Sequence, residues 1–142
     1  MRAADVLAEF MVLMERAKGN GGLGVNVMLG FPGTGRTGPA LPCASLAFAT
    51  EDYANHRPLP RLGQVPPAGR TIVATLYVFA NNEPELLALV DALGDVKDTV
   101  ASVSVNDLSL VVRYGPTQRV EMVLTDTAME YATACTINFS RQ

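Results

Sequence analysis

The chain has 142 residues, of which 49% are hydrophobic and 18% charged, so a packed core is expected and global disorder is excluded. A formal net charge of −3 argues against a dedicated nucleic-acid binder, which carries a basic excess. Two cysteines, Cys43 and Cys135, do not make a disulfide framework and read as reduced thiols packed like small hydrophobes.

In chain order, residues 2–18 predict an amphipathic helix. Ala3, Val6, Leu7, Phe10, Met11, Met14 and Ala17 recur at steps of three and four, while Asp5, Glu9, Glu15 and Lys18 lie off that stripe. Asp5 and Glu9 also interrupt the first apolar stretch in a way that a secretory hydrophobic segment would not. No run reaches the length of a membrane span, so a soluble protein acting inside the cell that makes it is expected. Gly19-Asn20-Gly21-Gly22 predicts the helix stop. A strand is expected over 23–30, with Leu23, Val25, Val27 and Leu29 on its buried side.

Residues 30–42 form a glycine-rich segment in which GFPGTGRT, Gly30 to Thr37, comes close to the G-x-x-x-x-G-K-[ST] phosphate loop. The same letters contain G-x-G-x-x-G at Gly33, Gly35 and Gly38. A phosphate loop works by curling backbone N–H groups around the anion, with a lysine at hand and a helix dipole aimed inward. Here Arg36 stands in place of the lysine, and Gly38-Pro39-Ala40-Leu41-Pro42 cannot run on as a helix. No later strand ends in a magnesium-binding aspartate, because Asp91 falls in a helical pattern. The dinucleotide reading fails on the same missing helix. The glycines instead predict a loop that is mobile or ordered by a partner.

A second strand is expected over 43–50, followed by a long basic surface loop over 51–70. That stretch holds Pro58, Pro60, Pro66 and Pro67 beside His56, Arg57, Arg61 and Arg70, and so many prolines cannot sit inside a sheet. Residues 71–80, rich in β-branched and aromatic side chains, predict a central strand. Asn82 then caps a helix, with Glu85 completing a capping box, Pro84 in the first turn, and Gly94 as the stop. Leu86, Leu87, Leu89, Val90 and Leu93 give its buried face. VASVSV and LSLVVRY predict two short strands around a turn at Asn106-Asp107, and YGPTQ predicts another turn before VEMVL. In the last strand, YATACTINFS, Tyr131, Thr133, Cys135, Ile137 and Phe139 share one face. Leu76, Leu86, Leu89, Ile137 and Phe139 are expected in one core.

No catalytic constellation is visible. Ser45, His56 and Asp52 could be assembled into a nucleophilic triad, but no motif places them together. One histidine and two distant cysteines supply too few ligands for a histidine–cysteine metal site. Glu83 and Glu85, at a helix start, read as capping and dipole partners rather than as a catalytic carboxylate pair.

The order of elements resembles that of the tail terminator proteins of long-tailed bacteriophages. The resemblance is carried by TIVATLYVFANNEPELLALVDAL at the centre, MEYATACTINFSRQ at the close and RAADVLAEFMVLMERA at the start. It implies an α/β (α+β) fold, a mostly antiparallel sheet flanked by an N-terminal helix and a central helix, as one domain over 1–142 with long loops at 30–42 and 51–70. It also implies a non-enzymatic role without cofactor: a ring of six subunits that caps the tail tube, stops its polymerisation and offers a surface to the head–tail connector. Its partners would be itself, the tail tube protein and the head–tail connector, with DNA passing through the ring without specific binding, in the virion tail and, during assembly, the host cytoplasm. The glycine-rich insertion is longer than the family pattern leads one to expect. Phe31, Arg36, His56, Arg57 and Arg61 are the candidate interface residues, since a ring needs complementary protruding surfaces on one subunit. Alternatives are another head–tail joining or tail-completion protein, and a small nucleotide-binding enzyme built on Gly30–Thr37.

Overall fold

The apolar stripe of the first helix decides where the protein's centre lies. In the computed structural model, which describes residues 2–31, 40–53, 70–124 and 127–141, helix α1 (Ala3–Met14) buries Val6, Leu7, Phe10 and Met14. The ring of Phe10 meets Phe139 edge-on at 5.1 Å between centroids. The helix ends a turn earlier than the glycines predict. The carbonyls of Met14 and Arg16 accept from Leu23 and Gly24 N–H instead of continuing the helical ladder. That return brings Gly22 so close that a Cβ there would lie 2.1 Å from the Arg16 carbonyl oxygen, so only glycine fits.

The sheet has the order β1-β2-β3-β6-β5-β4 among the described residues. Its strands are β1 (Asn26–Leu29), β2 (Cys43–Tyr53), β3 (Arg70–Phe79), β4 (Ser102–Val105), β5 (Leu108–Leu124) and β6 (Thr127–Arg141). Only β1 with β2 is parallel, and the remaining pairs are antiparallel. Helix α1 packs against both β1 and β4, the two outer strands, so the sheet curls around it. Helix α2 (Glu83–Thr99) packs on β3, β5 and β6 and joins the same apolar cluster. Both helices therefore cover one face. The α+β fold expected from the sequence, with helices flanking a mostly antiparallel sheet, is the fold observed.

Register follows the two-residue period. Ile72, Ala74 and Leu76 stand opposite Phe139, Ile137 and Cys135, and all six are buried under the helices. Leu76, Leu86, Leu89, Ile137 and Phe139 share this core as expected.

Several boundaries differ from the sequence reading, each for a local reason. The strand expected over 23–30 is confined to Asn26–Leu29, because Gly24 sits at φ +69°. Leu23 is buried, but Leu29 is 55% exposed, at a corner of the sheet that the helices do not cover. Strand β2 runs on through Tyr53 and β3 starts at Arg70, so both ends of the loop expected over 51–70 are sheet. The Arg70 guanidinium and the Glu51 carboxylate, 2.9 Å apart, pair across those strand ends. Gly94 does not stop α2. Beyond it Val96 is fully buried, and Lys97 donates to the Gly115 carbonyl at 3.0 Å and to Thr117 Oγ1 at 2.8 Å. That packing outweighs the roughly 1 kcal/mol helix penalty of a glycine.

YGPTQ is not a turn. β5 passes straight through it with a register shift between Tyr114 and Thr117, the kind of irregularity at which a strand tolerates proline. The Asn106-Asp107 turn is a hairpin as expected, with both residues at positive φ, +48° and +66°.

Candidate assembly surface

Strands β5 and β6 outrun the rest of the sheet. β3 pairs with β6 only as far as Ala132, opposite Phe79, and the last bond on that side runs from Ala80 N–H to the Tyr131 carbonyl. β4 pairs with β5 only over Leu108–Val111, and Val112 N–H donates to Ala101. What remains, residues 120–124 and 127–131, is a two-stranded arm. Its tip carries Val123, which at 70% exposure is the most exposed large apolar side chain among the described residues.

The root of the arm is fastened to α2. Asn82 Oδ1 accepts from Glu85 N–H at 2.9 Å, which fixes the helix start. The reciprocal half of the capping box goes one residue astray, because the Glu85 carboxylate accepts from the backbone and side-chain N–H groups of Asn81, not from Asn82. Glu83, freed to face outward, forms a two-pronged pair with Arg119 of β5 at 2.8 and 2.5 Å. The hydrogen bond from Arg119 holds the Glu83 carboxyl below its usual range, and Glu83 in turn raises the guanidinium. Arg119 also lies 5.9 Å over the Tyr131 ring. Beside these residues opens a recess of about 560 Å³, lined by Glu121, Val123, Ala128 and Glu130.

The opposite face of the arm is apolar and continues onto the sheet. Cys43, Phe79, Met129 and Ala132 are buried there, with Met28, Leu41, Tyr77, Val120 and Met122 packed around them. Ala132 is thus fully buried on the face that strand alternation assigns to solvent. Burial pushes the Cys43 thiol up, away from the reactive thiolate. Cys135 is also a free, buried thiol, and it donates to the Gly115 carbonyl at 3.3 Å.

Of the predicted interface residues, Phe31 is 42% exposed with its ring 5.1 Å from Tyr77, which stacks on Phe79. Phe31 thus edges the apolar patch at the root of the arm. Arg36, His56, Arg57 and Arg61 lie outside the described residues, as does most of Gly30–Thr37. Ser45, named for a triad, is fully buried and donates to the Gly30 carbonyl at 2.6 Å, while His56 falls outside the description. Among the described residues no group of three or more His, Cys, Asp or Glu gathers as a metal site, and no helix is long and apolar enough to cross a membrane. The arm itself escaped sequence reasoning, because YGPTQ reads as a break. The signal that could have found it is the alternation in RVEMVL and TAMEYA on either side of Thr125-Asp126, a hairpin of two long strands.

Compared with known families and with curated proteins, the chain matches no family model and no curated sequence.

Proposed function

We propose that this protein is a structural component of phage assembly, a ring-forming tail terminator that caps the tail tube, stops its polymerisation and joins the tail to the head connector. The observation that carries the reading is the architecture: an N-terminal helix, a central strand running directly into a capped helix, and a long closing strand, in a mostly antiparallel sheet flanked by the two helices. That is the arrangement the resemblance implies. It also leaves the arm projecting, a surface that can serve the head-to-tail contact a closed ring requires. The ring, by this reading, carries no catalytic residue and no cofactor, and DNA passes through it.

Native mass spectrometry with electron microscopy of the purified chain tests the reading. A discrete ring that binds tail tubes and halts their growth is expected. A chain that stays monomeric alone and beside purified tubes, or that binds magnesium nucleotide through Gly30–Thr37, would refute it. A ring that binds connector but leaves tube length unregulated would favour another head–tail joining protein.

A further inference from the structure

Among the described residues the edges at β1, at β4 and midway along β5 are guarded, β2 has no strand partner on its outer side beyond Leu46, and the arm alone is bare on both of its sides. The outer edge of β1 is occupied where Glu15 accepts from Val27 N–H at 3.3 Å, and α1 packs on β4. Along β5, Pro116 offers no N–H and the Gly115 carbonyl is taken by Lys97. Beyond Val120 and Tyr131 nothing among the described residues pairs with either side of the ribbon. Such edges are templates for another strand, and natural chains seldom leave them bare without use.

The two bare edges lie on opposite sides of one hairpin. One belongs to β5 over Val120–Leu124, the other to β6 over Thr127–Glu130. Beside the β6 edge, where β3 would have continued had the chain not turned into α2, is a recess of about 200 Å³. It is walled by Leu41, Ala80 and Asn81. A strand laid there extends the ladder that β3 leaves unfinished. The β5 edge of a second copy fits in direction, because β6 of one copy against β5 of the next keeps the up–down alternation of the hairpin itself.

We infer that successive copies of this chain join arm to arm, the β6 edge at Thr127–Glu130 of one copy pairing antiparallel with the β5 edge at Val120–Leu124 of the next. The occupant of the recess is thus a second copy. Because donor and acceptor edges differ, the contact is head-to-tail, and repetition closes into a ring whose arms form a continuous barrel without edges. This rests on the ring reading above and supplies its subunit contact.

Ladder alternation identifies the groups that matter. Leu124 is the partner of Thr127, and the pair that ends an antiparallel ladder before a short connection is of the bonded type, so the next pair, Val123 and Ala128, is expected to turn its N–H groups outward. Ala128→Pro removes one outward N–H without costing the hairpin an internal bond. The experiment is native mass spectrometry of the full chain and of Ala128→Pro, with circular dichroism to check folding and hydrogen exchange on the unaltered chain, assembled and diluted. The expected result is a ring for the unaltered chain, in which the Val123 and Ala128 amides exchange at least about tenfold more slowly than in the diluted monomer. Ala128→Pro should be a folded monomer. A ring whose two amides exchange as in the monomer, or a folded Ala128→Pro that assembles normally, overturns the arm contact and leaves the ring reading standing. Two-fold dimers, from like edges pairing, overturn the head-to-tail order. A chain that is monomeric alone and beside tail tubes removes the ring reading and the arm contact together. If Ala128→Pro does not fold, the exchange measurement on the unaltered chain decides.

Discussion

Removing the ring of Phe10 tests the central claim about the fold, that the sheet curls around α1. The side chain has no exposed surface, meets Phe139 edge-on at 5.1 Å, and lies 6.4 Å from the ring of Tyr114. Phe10→Ala therefore deletes a whole ring from between a helix and two strands, leaving a cavity that neither the sheet nor the helix can close without moving. Truncations of this kind cost about 3–5 kcal/mol, a large part of the roughly 5–15 kcal/mol that holds a domain folded. At this length the unfolding entropy is about 0.3 kcal/mol/K, so the midpoint should fall by roughly 10–17 °C. Urea unfolding followed by circular dichroism gives the free energy and a thermal scan the midpoint. Val12→Ala, on the exposed side of the same helix, is the control and should stay within about 0.5 kcal/mol. A loss below about 1 kcal/mol at Phe10 would mean that α1 does not occupy the concave face, and the curled-sheet description would fail.

Leu89→Ala, on the buried side of α2, should cost about 2–5 kcal/mol in the same assay, and a loss under about 0.5 kcal/mol would put that face in solvent. Asn82→Ala removes the cap on Glu85 N–H and should cost about 0.5–2 kcal/mol in urea unfolding. Thr133 Oγ1 is buried without a hydrogen-bond partner among the described residues, so Thr133→Val should leave stability unchanged or raise it by about 1 kcal/mol, whereas a clear loss would show that the hydroxyl is satisfied. The Glu83 carboxyl is held below its unfolded value by Arg119, so its stabilising effect is full above the ordinary carboxylate range and fades as pH falls through the lowered folded value. The difference in urea midpoint between the unaltered chain and Glu83→Gln should accordingly be constant near neutrality and close in acid. A difference that grows on acidification would contradict the pairing with Arg119.

The sequence by itself determined the elements whose signal is local. The stripe from Val6 to Met14, the cap at Asn82 and the turn at Asn106-Asp107 are each written within a few neighbouring residues. So is the alternation of Ile137 and Phe139 with Asn138, and each stands where it was expected. Helix or strand there follows from periodicity and from which backbone groups a nearby side chain can satisfy. The tertiary structure alone decided where competing long-range bonds win. α2 outlives Gly94 because Val96 finds the core and Lys97 finds Gly115. α1 stops at Met14 because its last carbonyls are claimed from Leu23 and Gly24. β5 runs through Gly115-Pro116 because β6 lies beside it to hold a ladder across the irregularity. The overhang of the arm is of the same kind. Its bare edges arise from where β3 and β4 end, and no residue within the arm encodes the end of another strand.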